Sequence, residues 1–551
     1  MSISGIGINL GRKVLHFFAW LNKGRVIASR SGGIIMQDKT KTEEAHIEVK
    51  SPATGEVIGK VKSFSSAEAL VALERARKAQ KAWGQTTFAL RRKKIRALIE
   101  QIFENAEYLA RLVSGENGQP LFETYMVEVL FITHMAAYFS KNAARILAPR
   151  RLSISLFKHR ISYLHYKPRG VVLVISPWNL PLAIPFSEVI MALIAGNSVI
   201  LKPASLTPLI AYKMRELFDQ AGIDPDLFQV ISGPGRIASE LIEAGVDYVN
   251  FTGSTEVGRK VAEICGRKLI PCSMELGGKA PLLILADADI DKAAKGAVWG
   301  AFAHSGQYCC SVERVYVHES KYAAFVEKAV EYTRRLRQKG PLSEGDTDIG
   351  SMIDPRQLDI VEQQIAAAVK AGARVLCGGK RSQAGKMFFE PTILVDVTDD
   401  MDIIKHETFG PVMPIMKFST EREAVDRANN SQYGLLAYVF TDDVGHGRKI
   451  AEQIEAGTVI INEFHLTFVF PETPWGGVKQ SGIGFVRSDD GLRSLCQVRH
   501  VNYDILPGVD GWYPYTAKKL ERFIALYELV HRQNGITGKL RTLKSLISGR
   551  R

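Results

Sequence analysis

Short continuous apolar runs alternate along the chain with longer stretches whose apolar positions recur every three or four residues. "GVVLVISPWN" (170–179), "GNSVILKPAS" (196–205) and "DYVNFTGST" (247–255) are runs of the first kind. "PFSEVIMALIAG" (185–196) and "LIAYKMRELFDQAG" (209–222) separate them with helical patterns. A strand buried on both faces needs no polar alternation. The order therefore predicts a doubly wound parallel sheet with helices on both faces. Upstream, "SPATGEVIGKVKSFSSAEALVALERARKAQKAW" (51–83) predicts a strand pair, a serine cap and an amphipathic helix. Helical periodicity continues to about residue 147, and a second α/β series runs from "PLLILADADI" to about residue 480. No internal repeat is visible.

Composition narrows the class. The 551 residues are enough for two or three domains, and 46% hydrophobic with 23% charged is ordinary for a globular protein. The net charge of +13 favours anionic partners: phosphorylated cofactors, acidic membrane surfaces or nucleic acid. Six cysteines follow no zinc-site spacing and no disulfide framework, so no metal is expected. The N-terminus lacks an apolar core followed by a small-residue cleavage site, so the expected location is the cytoplasm. No apolar run reaches the length of a membrane span.

Several stretches carry candidate chemistry. "HSGQYCCSVER" (304–314) places Cys309 and Cys310 side by side. "FTGSTEVG" (251–258) joins a strand to a helix through Gly253 and Gly258, with Ser254 as cap; such a helix start suits a pyrophosphate. A plain strand-to-helix turn explains that stretch equally well taken alone, and it is not the GxGxxG fingerprint. "SPWNLPL" sets Asn179 just beyond a strand, where an amide donor suits an oxyanion. "MELGGKAP" offers Glu275 as a general base beside two glycines, and "HETFGPV" offers Glu407 and Phe409. Turn-bound Asn and surface Glu are the commoner uses of these residues.

Taken together, "PWNLPL", "LKPAS", "FTGSTEVG", "MELGGKAP", "GQYCCSVER", "ETFGPV" and "PWGGVKQSG", in that order, resemble the aldehyde dehydrogenase superfamily over roughly residues 49 to 505. The resemblance implies an α/β fold with a doubly wound cofactor domain, an α/β catalytic domain and a small β oligomerisation extension. It divides the chain into an N-terminal basic amphipathic extension (1–48), a dinucleotide-binding domain (49–147 and 167–276), a catalytic domain (277–480), the oligomerisation extension (148–166 and 481–505) and a basic C-terminal tail (506–551). It makes Cys309 the nucleophile, Asn179 an oxyanion donor together with the Cys309 backbone N–H, and Glu275 the base that hydrolyses the thioester. That base argues for a free carboxylic acid as product rather than transfer to coenzyme A. For NADP or NAD it implies Ser176, Trp178, Lys202, Ser205, Gly235, Phe251, Gly253, Ser254, Leu276, Glu407 and Phe409. The expected partners are a small-molecule aldehyde and copies of the same chain, as a homodimer or homotetramer, with no nucleic acid.

Departures from the family's pattern matter. Ser205 stands three residues after Lys202, where many NAD-using members carry glutamate, so acceptance of NADP is expected. His304 stands where many relatives have Asn. Ser187 and Ala303 occupy two places that hold arginines in one succinic semialdehyde branch. With Phe464, Leu466, Phe468, Phe470, Leu180 and Ile184 as walls, the expected substrate is an apolar medium- or long-chain or aromatic aldehyde. At least half of those aromatics are expected to be core. The alternative is an NADP succinate-semialdehyde dehydrogenase, which "CSVERVYV" and the basic ending also suggest. Alternatives of another class are a cofactor-independent thiol esterase and a non-catalytic binding relative. The ends carry amphipathic patterns: Val14, Leu15, Phe18 and Leu21 in one, Leu520, Phe523, Ile524, Tyr527 and Val530 in the other. Peripheral association with an acidic membrane surface is one expectation for them, and packing on the enzyme or a partner subunit is the other.

Overall fold

A computed structural model describes residues 45–155, 159–342, 346–464, 466–505 and 512–531. The chain's first 44 residues, and with them the N-terminal amphipathic pattern, lie outside that set. A hairpin of His46–Lys50 and Val57–Lys62 opens the described part. It starts inside the extension drawn to residue 48, because apolar Val49 faces the core at 1% exposure. Ser65 and Glu68 then cap helix Ser66–Gly84 reciprocally.

The doubly wound sheet forms as expected. Its spatial order is Gly482–Ile483, Cys272–Glu275, Tyr248–Thr252, Val171–Ile175, Ser198–Lys202, Phe228–Val230. The inner pairs are parallel and only the short edge 482–483 is antiparallel. Successive strands depart from Val171–Ile175 in both directions, which leaves a crevice at their carboxyl ends. Helix Ala183–Ala195 fills one face, with all thirteen residues buried.

A second sheet has seven strands: Arg374–Cys377, Thr392–Val395, Val412–Phe418, Val312–His318, Ala280–Ile284, Leu436–Phe440 and Thr458–Ile461. All its pairs are parallel except at the Arg374–Cys377 edge. Cys496–Asp504, Arg160–Pro168 and Arg150–Leu152 make a separate antiparallel sheet. Within residues 481–495, assigned from sequence to the oligomerisation extension, 482–483 pairs with Cys272–Glu275, and helix Ser488–Ser494 packs on Ala183–Ala195 as well as on strand Cys496–Asp504. Apolar Leu492 and Leu495 draw that stretch into the main core. Among the described residues no helix is long and apolar enough to cross a membrane.

Candidate active site

The crevice is built where the strands end. Helix Ile290–Phe302 stops, and His304, Ser305 and Gly306 all adopt positive φ (49°, 56° and 72°) before the chain enters Val312–His318. Non-glycine residues in that region store strain and need outside support. Gln307 supplies it. Its amide donates to the carbonyls of His304 (3.0 Å) and Ser351 (3.3 Å) and accepts from the Ile353 N–H (3.1 Å). The Cys310 thiol is buried while Cys309 is half-buried, and the Tyr438 hydroxyl holds the Cys310 carbonyl at 2.7 Å.

Asn179, Glu275 and Cys309 come together here. The Asn179 side-chain amide donates to the carbonyl of Gln307 at 3.0 Å, two residues from the sulfur. An amide has two N–H donors, so one is left for a ligand oxygen. Glu275 ends its strand with both carboxyl oxygens buried and unpartnered. Burial pushes its pKa well up, the Cys309 sulfur and Glu188 add to this, and Arg487 opposes it. The hydrogen-bonded neighbour Cys310, then burial, push the Cys309 thiol up, with Glu407 adding its charge; again Arg487 opposes. The segment after Glu275 lies directly on the Cys309 loop, since a Cβ on Gly278 would sit 2.2 Å from the Cys309 carbonyl oxygen.

The residues expected to hold the cofactor line the same crevice. Strand Tyr248–Thr252 turns through Gly253 into helix Thr255–Lys268, where the Ser254 hydroxyl accepts from the Val257 N–H at 3.5 Å. A Cβ on Gly258 would lie 2.3 Å from Leu276, so glycine lets the helix start sit against the strand end. Phe251 is buried beneath Gly253. Gly235 opens helix Arg236–Glu243 with free space where a Cβ would be. Helix starts of this kind suit a pyrophosphate through the partial positive charge at their N-terminal ends. The Ser176 N–H donates to the Lys202 carbonyl (3.2 Å), and Lys202 Nζ to that of Pro203 (3.1 Å). Burial pulls the Lys202 pKa down. Ser205 is exposed, its hydroxyl on the Gly233 carbonyl at 3.3 Å. Trp178 meets Phe409 edge-on at 5.4 Å. Glu407 accepts from the Gly278 N–H at 2.8 Å, and burial above all raises its pKa to about 8.

Beside Cys309 is an apolar pocket walled by Met126, Val127, Leu180, Trp299, Phe468 and Val469. The Tyr308 ring contributes too, while its hydroxyl is taken by Gln119 at 2.6 Å. The expected aromatic loop contributes only in part. Phe464 is core, stacked on Phe440 and against Tyr438, because Gly296 and Gly300 leave room for its ring. Phe470 is exposed, Ile184 is buried away from the pocket, and the Leu466 side chain lies outside the described set.

Sequence reasoning passed over three buried charges. Glu313 accepts from the N–H groups of Thr408 (2.7 Å) and Phe409 (3.0 Å) and pairs with buried Lys279, so it fixes the Glu407 segment. Arg487, at 2% exposure, sits among Phe131, Phe468 and Trp475. Glu188 interrupts the otherwise apolar Ala183–Ala195 helix. Its lone charge in an apolar run was the readable signal. His304 is fully buried, and burial lowers its pKa to about 3 against a hydrogen bond to the Asn179 backbone.

A model described as the aldehyde dehydrogenase family matches residues 39–501. The chain is 35% identical over 457 residues to the NADP(+) succinate-semialdehyde dehydrogenase of Escherichia coli (strain K12), covering 83% of this chain and 94% of that protein. It is 34% identical over 490 residues to the 4,4'-diapolycopene aldehyde oxidase of Methylomonas sp, covering 88% of this chain and 91% of that one. The solved betaine aldehyde dehydrogenase of Staphylococcus aureus in complex with NAD+ superposes with a TM-score of 0.81 at 32% identity, covering 86% and 94% of the two chains.

Proposed function

Since the chain belongs to the aldehyde dehydrogenase family and is an NAD(P)-dependent aldehyde dehydrogenase, we propose that its preferred substrate is an aldehyde with an apolar medium- or long-chain or aromatic body. The observation that carries this reading is the pocket beside Cys309, whose lining among the described residues includes no Lys or Arg. A distal carboxylate would be desolvated there without a partner, at a cost of several kcal/mol. The match to the protein named 4,4'-diapolycopene aldehyde oxidase accords with it. The second reading is an NADP succinate-semialdehyde dehydrogenase, and the names of more of the relatives favour it.

In either case Cys309 is the nucleophile of our proposal. Its sulfur adds to the carbonyl carbon, and the free N–H of Asn179 and the Cys309 backbone N–H receive the oxyanion. The bound nicotinamide supplies the hydride acceptor. Glu275 then takes a proton from the water that hydrolyses the thioester. We assign Lys202 and Ser205 to the adenosine side, Glu407 to the nicotinamide side, and acceptance of NADP to the missing carboxylate at Ser205.

The test is kcat/KM across aldehydes of rising chain length, with succinic semialdehyde included and both cofactors used. The apolar reading expects values to rise with chain length. Succinic semialdehyde as the best substrate would replace it with the second reading. The tail adds a further proposal, peripheral binding to acidic membranes: helix Ala517–His531 exposes Leu520, Phe523, Ile524, Tyr527 and Val530. Failure to sediment with anionic liposomes at low salt would leave the tail as cover for a partner subunit.

A further inference from the structure

Arg487 is out of reach of the pocket but not of its chemistry. The residue has φ +65° and is followed by Ser488 at +58°, a pair of left-handed residues that turns the guanidinium inward. Three aromatic rings enclose it, with centroids 3.9 Å (Phe468), 4.8 Å (Phe131) and 5.2 Å (Trp475) from its central carbon. One terminal nitrogen donates to the Phe468 carbonyl, and Nε has no partner. Two carboxyl groups share this interior. Glu275 has both oxygens unpartnered, and Glu188 one. The strand register places Thr252 beside Glu275, and Gly482, five residues before Arg487, on Glu275's other side. Glu188 comes from helix Ala183–Ala195, on which the helix opened by Arg487 packs.

The other charges nearby are already engaged. Asp489 and Asp490, on Arg487's own helix, face Arg145 and Arg493. Glu407 lies beyond Cys309, on the Gly278 N–H. Among the described residues that leaves one cation for Cys309, Glu275 and Glu188, with the Cys310 thiol beside them. A buried guanidinium balances one negative charge well and two badly.

We propose that Arg487 is the fixed counter-cation for a single negative charge that turnover moves between the Cys309 sulfur and the Glu275 carboxylate, while Glu188 competes for it. The inference rests on the roles given above to Cys309 and Glu275. When the sulfur is acylated it carries no charge, and Arg487 favours loss of the Glu275 proton to water. In deacylation the water oxygen forms a bond to the acyl carbon and its proton passes to Glu275. The C–S bond then breaks with its electron pair on sulfur. Arg487 therefore faces one anion before the step and one after it. Arg487 acts through other groups and is a positioning residue. In support, burial lowers its pKa to about 10, which leaves it charged at neutral pH, and Glu275, Cys309 and Glu188 all push it back up.

The test follows Cys309 alkylation by iodoacetamide against pH by mass spectrometry, and the pH dependence of kcat. Parent, Arg487→Lys, Arg487→Met and Glu188→Gln enzymes are compared. Loss of the cation should raise both midpoints by about one unit or more, while Lys keeps the parent profile within a few tenths. Glu188→Gln should move them down, since a competitor is gone. A folded Arg487→Met enzyme with parental midpoints would overturn the proposal, as would an Arg487→Lys enzyme that behaves like Met. If Arg487→Met does not fold, Glu188→Gln decides: a downward shift supports the proposal and no shift sinks it. A Cys309→Ala enzyme that keeps its burst of reduced cofactor would instead refute the underlying role of Cys309.

Discussion

Adding one methyl group at Gly278 should disable the enzyme without unfolding it. The new Cβ would stand 2.2 Å from the Cys309 carbonyl oxygen, whereas ordinary contact begins at 3.4 Å, so one of the two must move by about 1.2 Å. The obstacle is backbone, which cannot rotate aside as a side chain can. Gly278 also donates its N–H to Glu407 at 2.8 Å, so a shift on that side disturbs the proposed cofactor contact as well. Misplacing a reacting group by about 1 Å costs roughly 100-fold, or about 2.7 kcal/mol of barrier. Gly278→Ala should thus lower kcat/KM about 100-fold, measured by reduced-nicotinamide absorbance, with the far-ultraviolet dichroism of the parent. Gly266→Ala is the control. It lies in helix Thr255–Lys268 with open space around it, so activity should hold and stability rise by about 0.5–1 kcal/mol. A Gly278→Ala enzyme within about threefold of the parent would mean that the loop holding Cys309 yields freely, and the reasoning from packing would fail.

Other expectations are as direct. Cys309→Ala should abolish oxidation while Cys310→Ala, whose thiol is buried, keeps most of it; the reverse would reassign the nucleophile. Glu275→Gln should retain the first burst of reduced cofactor and lose steady-state turnover, and unchanged turnover would give the base role to another group. Ser205→Glu should shift the kcat/KM ratio toward NAD by about tenfold or more, and no change would show that this position does not contact the 2′-phosphate. Glu116 is buried on the N–H groups of Leu209 (2.6 Å) and Ile210 (2.8 Å), and burial outweighs them to raise its pKa from 4.5 to about 8. A carboxyl raised on folding binds more protons folded than unfolded, so its stabilisation is complete below about pH 4.5 and fades as pH rises through about 8. The melting temperature should fall across that window, and less so in Glu116→Gln, which starts lower because the NH2 that replaces one carboxyl oxygen cannot accept the N–H that oxygen held.

What could be read from the chain follows from the range of the forces involved. Val171–Ile175, Ser198–Lys202 and Tyr248–Thr252 were legible because a strand buried on both faces is apolar whatever surrounds it. The motifs at their ends inherited that certainty of place. Phe464 and Phe468 were not separable, because which one faces the pocket is decided by Gly296 and Gly300, more than 160 residues away in sequence. Arg487 was missed for a related reason: its aromatic box joins Phe468 and Trp475, 19 and 12 residues before it, to Phe131 from more than 350 residues away, and that last contact is invisible in the local sequence. Glu188 was detectable as an isolated charge in an apolar run, whereas Glu313 stands beside Arg314 and so carries a weaker signal.

The helix Ala183–Ala195 also sets a schedule for the ribosome. It has no polar face to show to water, and its cover comes from both directions in the chain. The helices that precede it are already made when it emerges. Strand Tyr248–Thr252, which pairs with the central strand beneath it, follows some 55 residues after the helix, and Ser488–Ser494 closes over it only about 300 residues after the helix. At roughly 5–20 residues per second that last delay is about 15–60 s. For that time a greasy thirteen-residue rod lacks part of its cover, which makes it the segment most in need of a chaperone and marks truncated chains ending before residue 488 as prone to aggregate.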